Sequence, residues 1–197
     1  MADNTVTDAQ RAQLRSIALE SPLLSSILER WEQIVLPDAW LVGGAIAQTV
    51  WNRTFGFPPT YGINDVDIVY FDADNLSEDA EALHSARIRA AFPDLPAWID
   101  VKNQARVHHW YEAKFGYSIS PYTSAGEAIA TFPTTATTVG LRPGRTELEL
   151  CAPYGLSDLL GSVVRPNKRQ ITREIYERKV ERWTTSWIGL TVIGWNE

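Results

Sequence analysis

Cysteine is almost missing from this chain. Cys151 stands alone among 197 residues, which excludes an intrachain disulfide framework and any zinc site built from several thiolates. Alone, it is expected to pack as a small hydrophobe near a strand end. No apolar run approaches the roughly 20 residues that a membrane-spanning helix needs, and no internal repeat or low-complexity segment is present. The opening residues 1–8 are polar and acidic, without a basic flank leading into an apolar stretch, so they do not read as a signal peptide. A cytoplasmic protein with no membrane partner is therefore expected. An excess of basic charge is lacking too. The formal charge of −6 and pI near 5.1 argue against general attraction to nucleic acid, although a local basic patch could serve one nucleotide or one RNA end.

Apolar residues are plentiful, at 45%, enough for one full core or a core with a small extension. The chain reads as one domain, with N-terminal helices over 1–37, a central unit over 38–168, and a helix with a tail over 169–197. Eight tryptophans scattered along it are expected to act mainly as core or interface anchors.

Thr7 and Gln10 have capping-box spacing, which predicts a helix to about Glu20. Ser21-Pro22 restarts a helix whose apolar stripe runs Leu23, Leu24, Ile27, Leu28, Trp31, Ile34 and which Pro37 should end. Residues 39–42 read as a buried strand, Gly43-Gly44 as a turn, and 45–51 as a helix. A Gly- and Pro-rich loop over 53–64 precedes a strand over 66–71. Ser77 to Phe92 reads as a helix with Ala82, Leu83, Ala86 and Ile88 inward. A strand over 98–101 is followed by a helix from about Gln104 to Phe115, and Ser124 with Glu127 caps a short helix near Ala130. Pro143-Gly144 sits between two strands of a hairpin. A short helix over 156–160 and a longer one over 172–183 precede an apolar tail read as a strand or extended segment. Strands and helices mix without regular alternation, so the class is α+β.

Two features point to chemistry. A glycine pair between strand and helix lets backbone approach a ligand, and a helix N-terminus presents free N–H groups to a phosphate. Asp65 and Asp67 are two apart, so on a strand both carboxylates share a face. Adjacent like charges need a cation or donors to neutralise them, and hard oxygens at this spacing suit Mg²⁺ (or Mn²⁺) together with substrate phosphates. Against this, a strand entrance flanked by solvated acids explains the pair equally simply. Asp72 and Asp74 read as solvated loop or helix-entry acids. Asp100 lies between Ile99 and Val101, either on a polar sheet face or in a carboxylate cluster. Lys102 shares its face and would pair with it or reach a phosphate, and Arg106 follows with a guanidinium suited to bidentate phosphate contact.

The segments Leu41-Val42-Gly43-Gly44, Asp65-Val66-Asp67-Ile68-Val69-Tyr70-Phe71-Asp72 and Val101-Lys102-Asn103-Gln104-Ala105-Arg106 resemble motifs of a bacterial nucleotidyltransferase-like family. So do Thr138-Val139-Gly140-Leu141-Arg142 and Ala152-Pro153-Tyr154-Gly155-Leu156-Ser157-Asp158-Leu159. The likeness runs in order from about Ala39 to Lys168, and the family belongs to the polymerase β-like superfamily. The resemblance implies a palm, a mixed sheet with flanking helices, carrying an N-terminal helical cap. It implies that Gly43 and Gly44 contact a triphosphate, with Lys102, Asn103 and Arg106 as further nucleotide contacts. It also implies that Asp65, Asp67 and Asp100 are the catalytic, metal-holding carboxylates, Asp100 also being a candidate proton acceptor. The activity implied is transfer of a nucleoside monophosphate from a nucleoside triphosphate to an acceptor hydroxyl, with pyrophosphate leaving. Twenty residues separate Gly44 from Asp65, more than in many members of the superfamily, and an inserted loop over 53–64 accounts for them.

Other residues carry blander readings. His84, His108 and His109 are read as structural or surface groups; adjacent histidines on a helix point about 100° apart and do not easily share a metal. Trp110 and Tyr111 are read as core rather than as a surface for stacking a base. The basic run from Arg165 to Arg182, interleaved with Glu174, Glu177 and Glu181, is read as a salt-bridged exposed face, with a basic strip guiding an acceptor as the sharper alternative. Competing functions are a catalytically silent nucleotide-binding module and a protein-interaction module on the same fold. The acceptor (small molecule, protein or RNA end), the base preference and the oligomeric state are not legible in the sequence.

Overall fold

In the computed structural model, which describes residues 4–197, the first helix α1 (Asp8–Glu20) opens on the expected capping box. Thr7 Oγ1 accepts from the Gln10 N–H at 3.2 Å, and Gln10 Oε1 accepts from the Thr7 N–H at 3.1 Å. Helix α2 (Pro22–Leu28) has Ser21 as its cap and Pro22 in its first turn. It stops earlier than its apolar stripe predicts. The chain tightens into a 3-10 turn over Trp31–Gln33, and the carbonyls of Gln33 and Ile34 accept from the Arg87 guanidinium instead of from a continuing helix.

Strand β1 (Trp40–Val42) leads through Gly43 into α3 (Gly44–Phe55), then β2 (Asp65–Tyr70), α4 (Glu78–Ala91) and β3 (Trp98–Asn103). A 3-10 turn over Gln104–Arg106 opens α5 (Val107–Phe115), and the short α6 (Ala125–Ile129) follows. The hairpin β4 (Gly140–Pro143) and β5 (Leu148–Cys151), then α7 (Ser157–Leu160), β6 (Val163–Val164), α8 (Arg173–Ser186) and β7 (Thr191–Val192) complete the chain. The main sheet has the order β3-β2-β1-β4-β5, with β2 and β3 parallel and the other neighbours antiparallel. This is the α+β palm that the resemblance implied. Strands β6 and β7 pair in parallel as a separate ribbon.

The two faces of the sheet differ. Val66, Ile68 and Tyr70 of β2, with Ile99 and Val101 of β3, point into a core shared with α1, α2, α3 and α4. The opposite face is covered near β1 by Ala125 and Ile129 of α6, packed on Trp40, Val42 and Val69. Toward β3 that face presents Asp65, Asp67, Asp100 and Lys102, the alternate residues of two strands with a period of two.

Helix α4 lies in a different phase from the one expected. Glu81, Ser85 and Ile88 are buried, while Ala82 and Ala86 are exposed and Leu83 is 69% exposed. The cause is tertiary: Glu81 turns inward because it accepts from the Asn103 backbone N–H at 2.7 Å and from Arg106 Nη1 at 3.0 Å. A paired buried carboxylate outweighs the exposure of one leucine.

Three tryptophans lock the two ends of the fold together. Trp51 of α3 meets Trp183 of α8 edge-on at 5.3 Å and Trp187 at 5.5 Å between ring centroids. Trp187 Nε1 donates to Asn52 Oδ1 at 2.8 Å, and Asn52 Nδ2 donates to the carbonyls of Pro59 and Tyr61. The loop after α3 is thereby packed onto the tail, with Gly62 at φ +70° so close that a Cβ there would lie 2.7 Å from the Trp187 ring. Anchoring the C-terminal end of α8 in this way fixes where its preceding turns fall.

Candidate active site

Gly43 adopts φ +74°, a left-handed conformation that favours glycine. No side chain caps α3 after it, so the first-turn N–H groups are left for solvent or an anion. A Cβ on Gly43 would sit 3.5 Å from the Phe132 ring and 3.8 Å from Asp67 Oδ2. The turn and the strand carboxylate therefore face one another closely. Across the sheet Asp67 is paired with Val42 on β1 and with Asp100 on β3, which puts it where the apolar part of this face gives way to the acidic part.

Asp65, Asp67, Gly43 and Gly44 form one wall of a cavity of about 240 Å³. Lys179, Arg182 and Trp183 of α8 form the opposite wall. Asp67 is pushed up to about 7 from its ordinary 3.8, first by burial and then by the charges of Asp65 and Asp100. Lys179 is held below the usual lysine range, first by burial and then by Arg182, while Asp67 and Asp65 oppose that shift. Among the described residues neither Asp65 nor Asp67 makes an ion pair, and neither do Lys179 and Arg182. The cavity thus holds an unpaired acidic wall and an unpaired basic wall. Such an arrangement suits a cation on one side and a polyanion on the other.

The donor set fits a magnesium-type ion in part. Two hard carboxylates with room beside them are what Mg²⁺ takes when phosphates and water complete its shell. The third carboxylate is differently placed. Asp100 Oδ1 lies 3.5 Å from Lys102 Nζ, which also approaches Glu81 Oε1 at 3.8 Å. Among the described residues no three His, Cys, Asp or Glu side chains gather as a metal cage.

Of the other residues singled out from sequence, Lys102 lines the cavity, and Asn103 and Arg106 do not. Asn103 is fully buried. Its Nδ2 donates to the carbonyls of Asp72 and Asn75, and its Oδ1 accepts from the N–H groups of Asp72 and Ala105. Arg106 is buried against Glu81, with Nε donating to the Leu76 carbonyl. Both hold the segment after β2 to the end of β3, which places them in the scaffold around the cavity and not in its lining. Asp72 likewise turns back on its own loop, accepting from the N–H groups of Asp74 and Asn75.

The cations missed by sequence reading are Lys179 and Arg182. The glutamates between the basic residues of α8 suggested a salt-bridged face, yet the pair Arg173–Glu177 at 2.7 Å is the one ion pair that α8 makes among the described residues. A stronger signal was present in Trp183: an aromatic anchor next to Arg182 and one turn after Lys179 commits that side of the helix inward. Gln48, Gln104 and Phe132 also line the cavity, and nothing in their local sequence marks them. The histidines do not line this cavity; His84 packs on Tyr70 at 5.8 Å and His108 on His109 at 4.1 Å.

Among the described residues no helix is long and apolar enough to cross a membrane. Comparison with known proteins agrees with the geometry. No curated protein matches the chain. A solved NMR structure, described as revealing a CCA-adding enzyme head domain, superposes with a TM-score of 0.77 at 28% identity, covering 97% of this chain and 98% of that one. A family model described as nucleotidyltransferase matches residues 29–192, the span that contains both glycines, all three aspartates and the cationic helix. The chain belongs to the nucleotidyltransferase family.

Proposed function

We propose that this protein transfers a nucleoside monophosphate from a nucleoside triphosphate to an acceptor hydroxyl in a divalent-metal-dependent reaction. The observation that carries the reading is the single cavity in which Asp65 and Asp67 face the Gly43-Gly44 turn, opposite Lys179 and Arg182. The acceptor oxygen forms a bond to the α-phosphorus, the bond from that phosphorus to the bridging oxygen breaks, and pyrophosphate leaves. The acceptor's proton passes to a carboxylate or to water. Asp65 and Asp67 would hold Mg²⁺ or Mn²⁺, which when bound supplies neutralisation of the charge that develops on the phosphate oxygens.

The chain's own groups do the remainder. The uncapped N-terminus of α3 offers backbone N–H groups to phosphate oxygens. Lys179 and Arg182 close over the triphosphate from the other side, and Lys102 reaches it from β3. Asp100 Oδ1 lies beside Lys102 Nζ at 3.5 Å. Drawing Lys102 toward phosphate would free that carboxylate to accept the hydroxyl proton. The likeness to a CCA-adding enzyme head domain supports an enzymatic reading. The acceptor is a hydroxyl on a small molecule, a protein or an RNA end.

A second reading rests on the same Asp100–Lys102 pair. If Lys102 keeps that carboxylate occupied when nucleotide is bound, the chain is a silent nucleotide-binding or protein-interaction module. Calorimetric titration of nucleoside triphosphates, with and without Mg²⁺, into wild type and Asp65→Ala separates the outcomes. Metal-dependent binding that the variant loses is expected, followed by release of pyrophosphate once acceptors are screened. Binding without pyrophosphate from any acceptor would favour the silent module, and no binding at all would overturn the proposal.

A further inference from the structure

A second and larger cavity, of about 810 Å³, opens from the first between α5 and α8. The two share Lys102, Lys179 and Arg182, together with Gln104, Phe132 and Pro133, as a common wall. Size divides their duties. Ligand pockets commonly occupy roughly 300–1,000 Å³, so the 240 Å³ space beside the aspartates is too small for a whole nucleoside triphosphate. A triphosphate seated there must send its nucleoside into the neighbouring space.

The chemistry of that space suits a nucleoside. Trp110, Tyr111 and Phe115 of α5 form an aromatic floor, with Tyr111 and Phe115 at 4.5 Å and Trp110 and Tyr111 at 6.2 Å between centroids. Trp110 is only partly buried, so part of its surface is open. Lys114 hangs over the rings of Trp110 and Phe115 at 5.4 and 5.5 Å. Among the described residues Lys114 and Arg178 make no ion pair. In a chain with net charge −6, the cations here outnumber the one acid in the lining, Glu174.

Most of the polar groups that could read a base edge are already engaged. The Tyr111 hydroxyl is bonded to that of Tyr117 at 3.1 Å, and the Tyr122 hydroxyl to Thr131 and to Gln170 Oε1, both at 2.9 Å. Thr131 Oγ1 donates to the Ala128 carbonyl, and Gln104 Nε2 to the Lys102 carbonyl. Beside one end each of the Gln104 and Gln170 amides, what remains on offer is chiefly ring surface and positive charge. Stacking of that kind tolerates every base, since each has a π-face.

Resting on the nucleotidyl-transfer reading, we propose that the cavity between α5 and α8 holds the nucleoside of the donor triphosphate, its base stacked on the Trp110 floor, and that it accepts all four bases with little preference. The polyphosphate crosses the shared wall of Lys102, Lys179 and Arg182 to reach Gly43-Gly44.

The test is calorimetry with Mg²⁺ on the full chain, using ATP, GTP, CTP and UTP beside inorganic tripolyphosphate. In wild type the four nucleotides should bind within about tenfold of one another, purines ahead through larger stacking area. Trp110→Ala should weaken all four by about tenfold or more, from the usual worth of one base–aromatic stack, and leave tripolyphosphate unchanged. That unchanged value also shows that the variant is folded. Trp110→Phe should restore most of the affinity. A preference of more than about a hundredfold for one base, or nucleotide affinities unmoved by Trp110→Ala, would overturn this inference while leaving the transferase reading intact. Failure of wild type to bind any nucleotide or tripolyphosphate would overturn both.

Discussion

Replacing Asp67 with asparagine should make this protein more stable while removing the metal-dependent nucleotide binding proposed above. The half-buried carboxyl is pushed up to about 7 in the folded chain from an ordinary 3.8, because burial and the charges of Asp65 and Asp100 disfavour its ionised form. Between those pH values folding takes up a proton, so the stability associated with this residue falls as pH rises and its full cost is present above about pH 7. A shift of this size corresponds to a ceiling of about 4 kcal/mol. Asparagine keeps part of the desolvation cost of a polar group, so a gain of about 2 kcal/mol is expected. For a chain of this length that is roughly 4–8 °C in Tm.

The assay is thermal unfolding of wild type and Asp67→Asn in chelator, followed by circular dichroism from pH 4 to pH 8.5. Asparagine carries no titrating proton, so the offset between the curves should open through pH 4–7 and stay level above. Added Mg²⁺ at pH 8 should close the gap by stabilising wild type alone. A variant that melts at or below wild type at pH 8, or an offset equal at pH 5 and pH 8, would refute the picture of Asp67 as a destabilised carboxylate in want of a cation.

Further predictions follow from the other walls of the site and from the scaffold. Lys179→Ala and Arg182→Ala should each lower triphosphate affinity by about tenfold, the usual scale for a charge-assisted phosphate contact, with little change in Tm; calorimetry at two salt concentrations would show whether the loss is electrostatic. Arg106→Ala should leave triphosphate affinity unchanged in the protein that remains folded, yet destabilise it by about 3 kcal/mol, because buried Glu81 loses its guanidinium and keeps the Asn103 N–H and the more distant Lys102. Urea unfolding beside calorimetry separates that outcome from a direct phosphate role. Trp187→Ala should cost about 3–5 kcal/mol by emptying the cluster with Trp51 and leaving Asn52 Oδ1 without its donor. Because that cluster sets the position of α8, affinity for tripolyphosphate should fall as well, and an unchanged affinity would show that α8 is positioned by other contacts.

Much of the acidic wall was legible before any fold was known, because it depends on local geometry. A strand has a period of two wherever it sits, so Asp65 and Asp67 share a face once residues 65–70 are extended. A glycine pair between strand and helix tolerates the φ of +74° found at Gly43, and the Thr7–Gln10 cap needs nothing beyond its own turn. The ordered motifs pointed to the palm that the sheet adopts.

Only tertiary structure decided the other half of the site. Lys179 and Arg182 face the aspartates because Trp183 and Trp187 dock on Trp51 and Asn52, more than a hundred residues earlier in the chain, and no local charge pattern on α8 encodes that docking. Asn103 and Arg106 matched a motif but turn to Asp72, Asn75, Leu76 and Glu81, since a buried amide or guanidinium must find its partners where the packing provides them. The same requirement rotated α4 away from the phase of its apolar residues. Periodicity reports which side chains share a face; the cost of burying unpaired polar groups decides what that face meets.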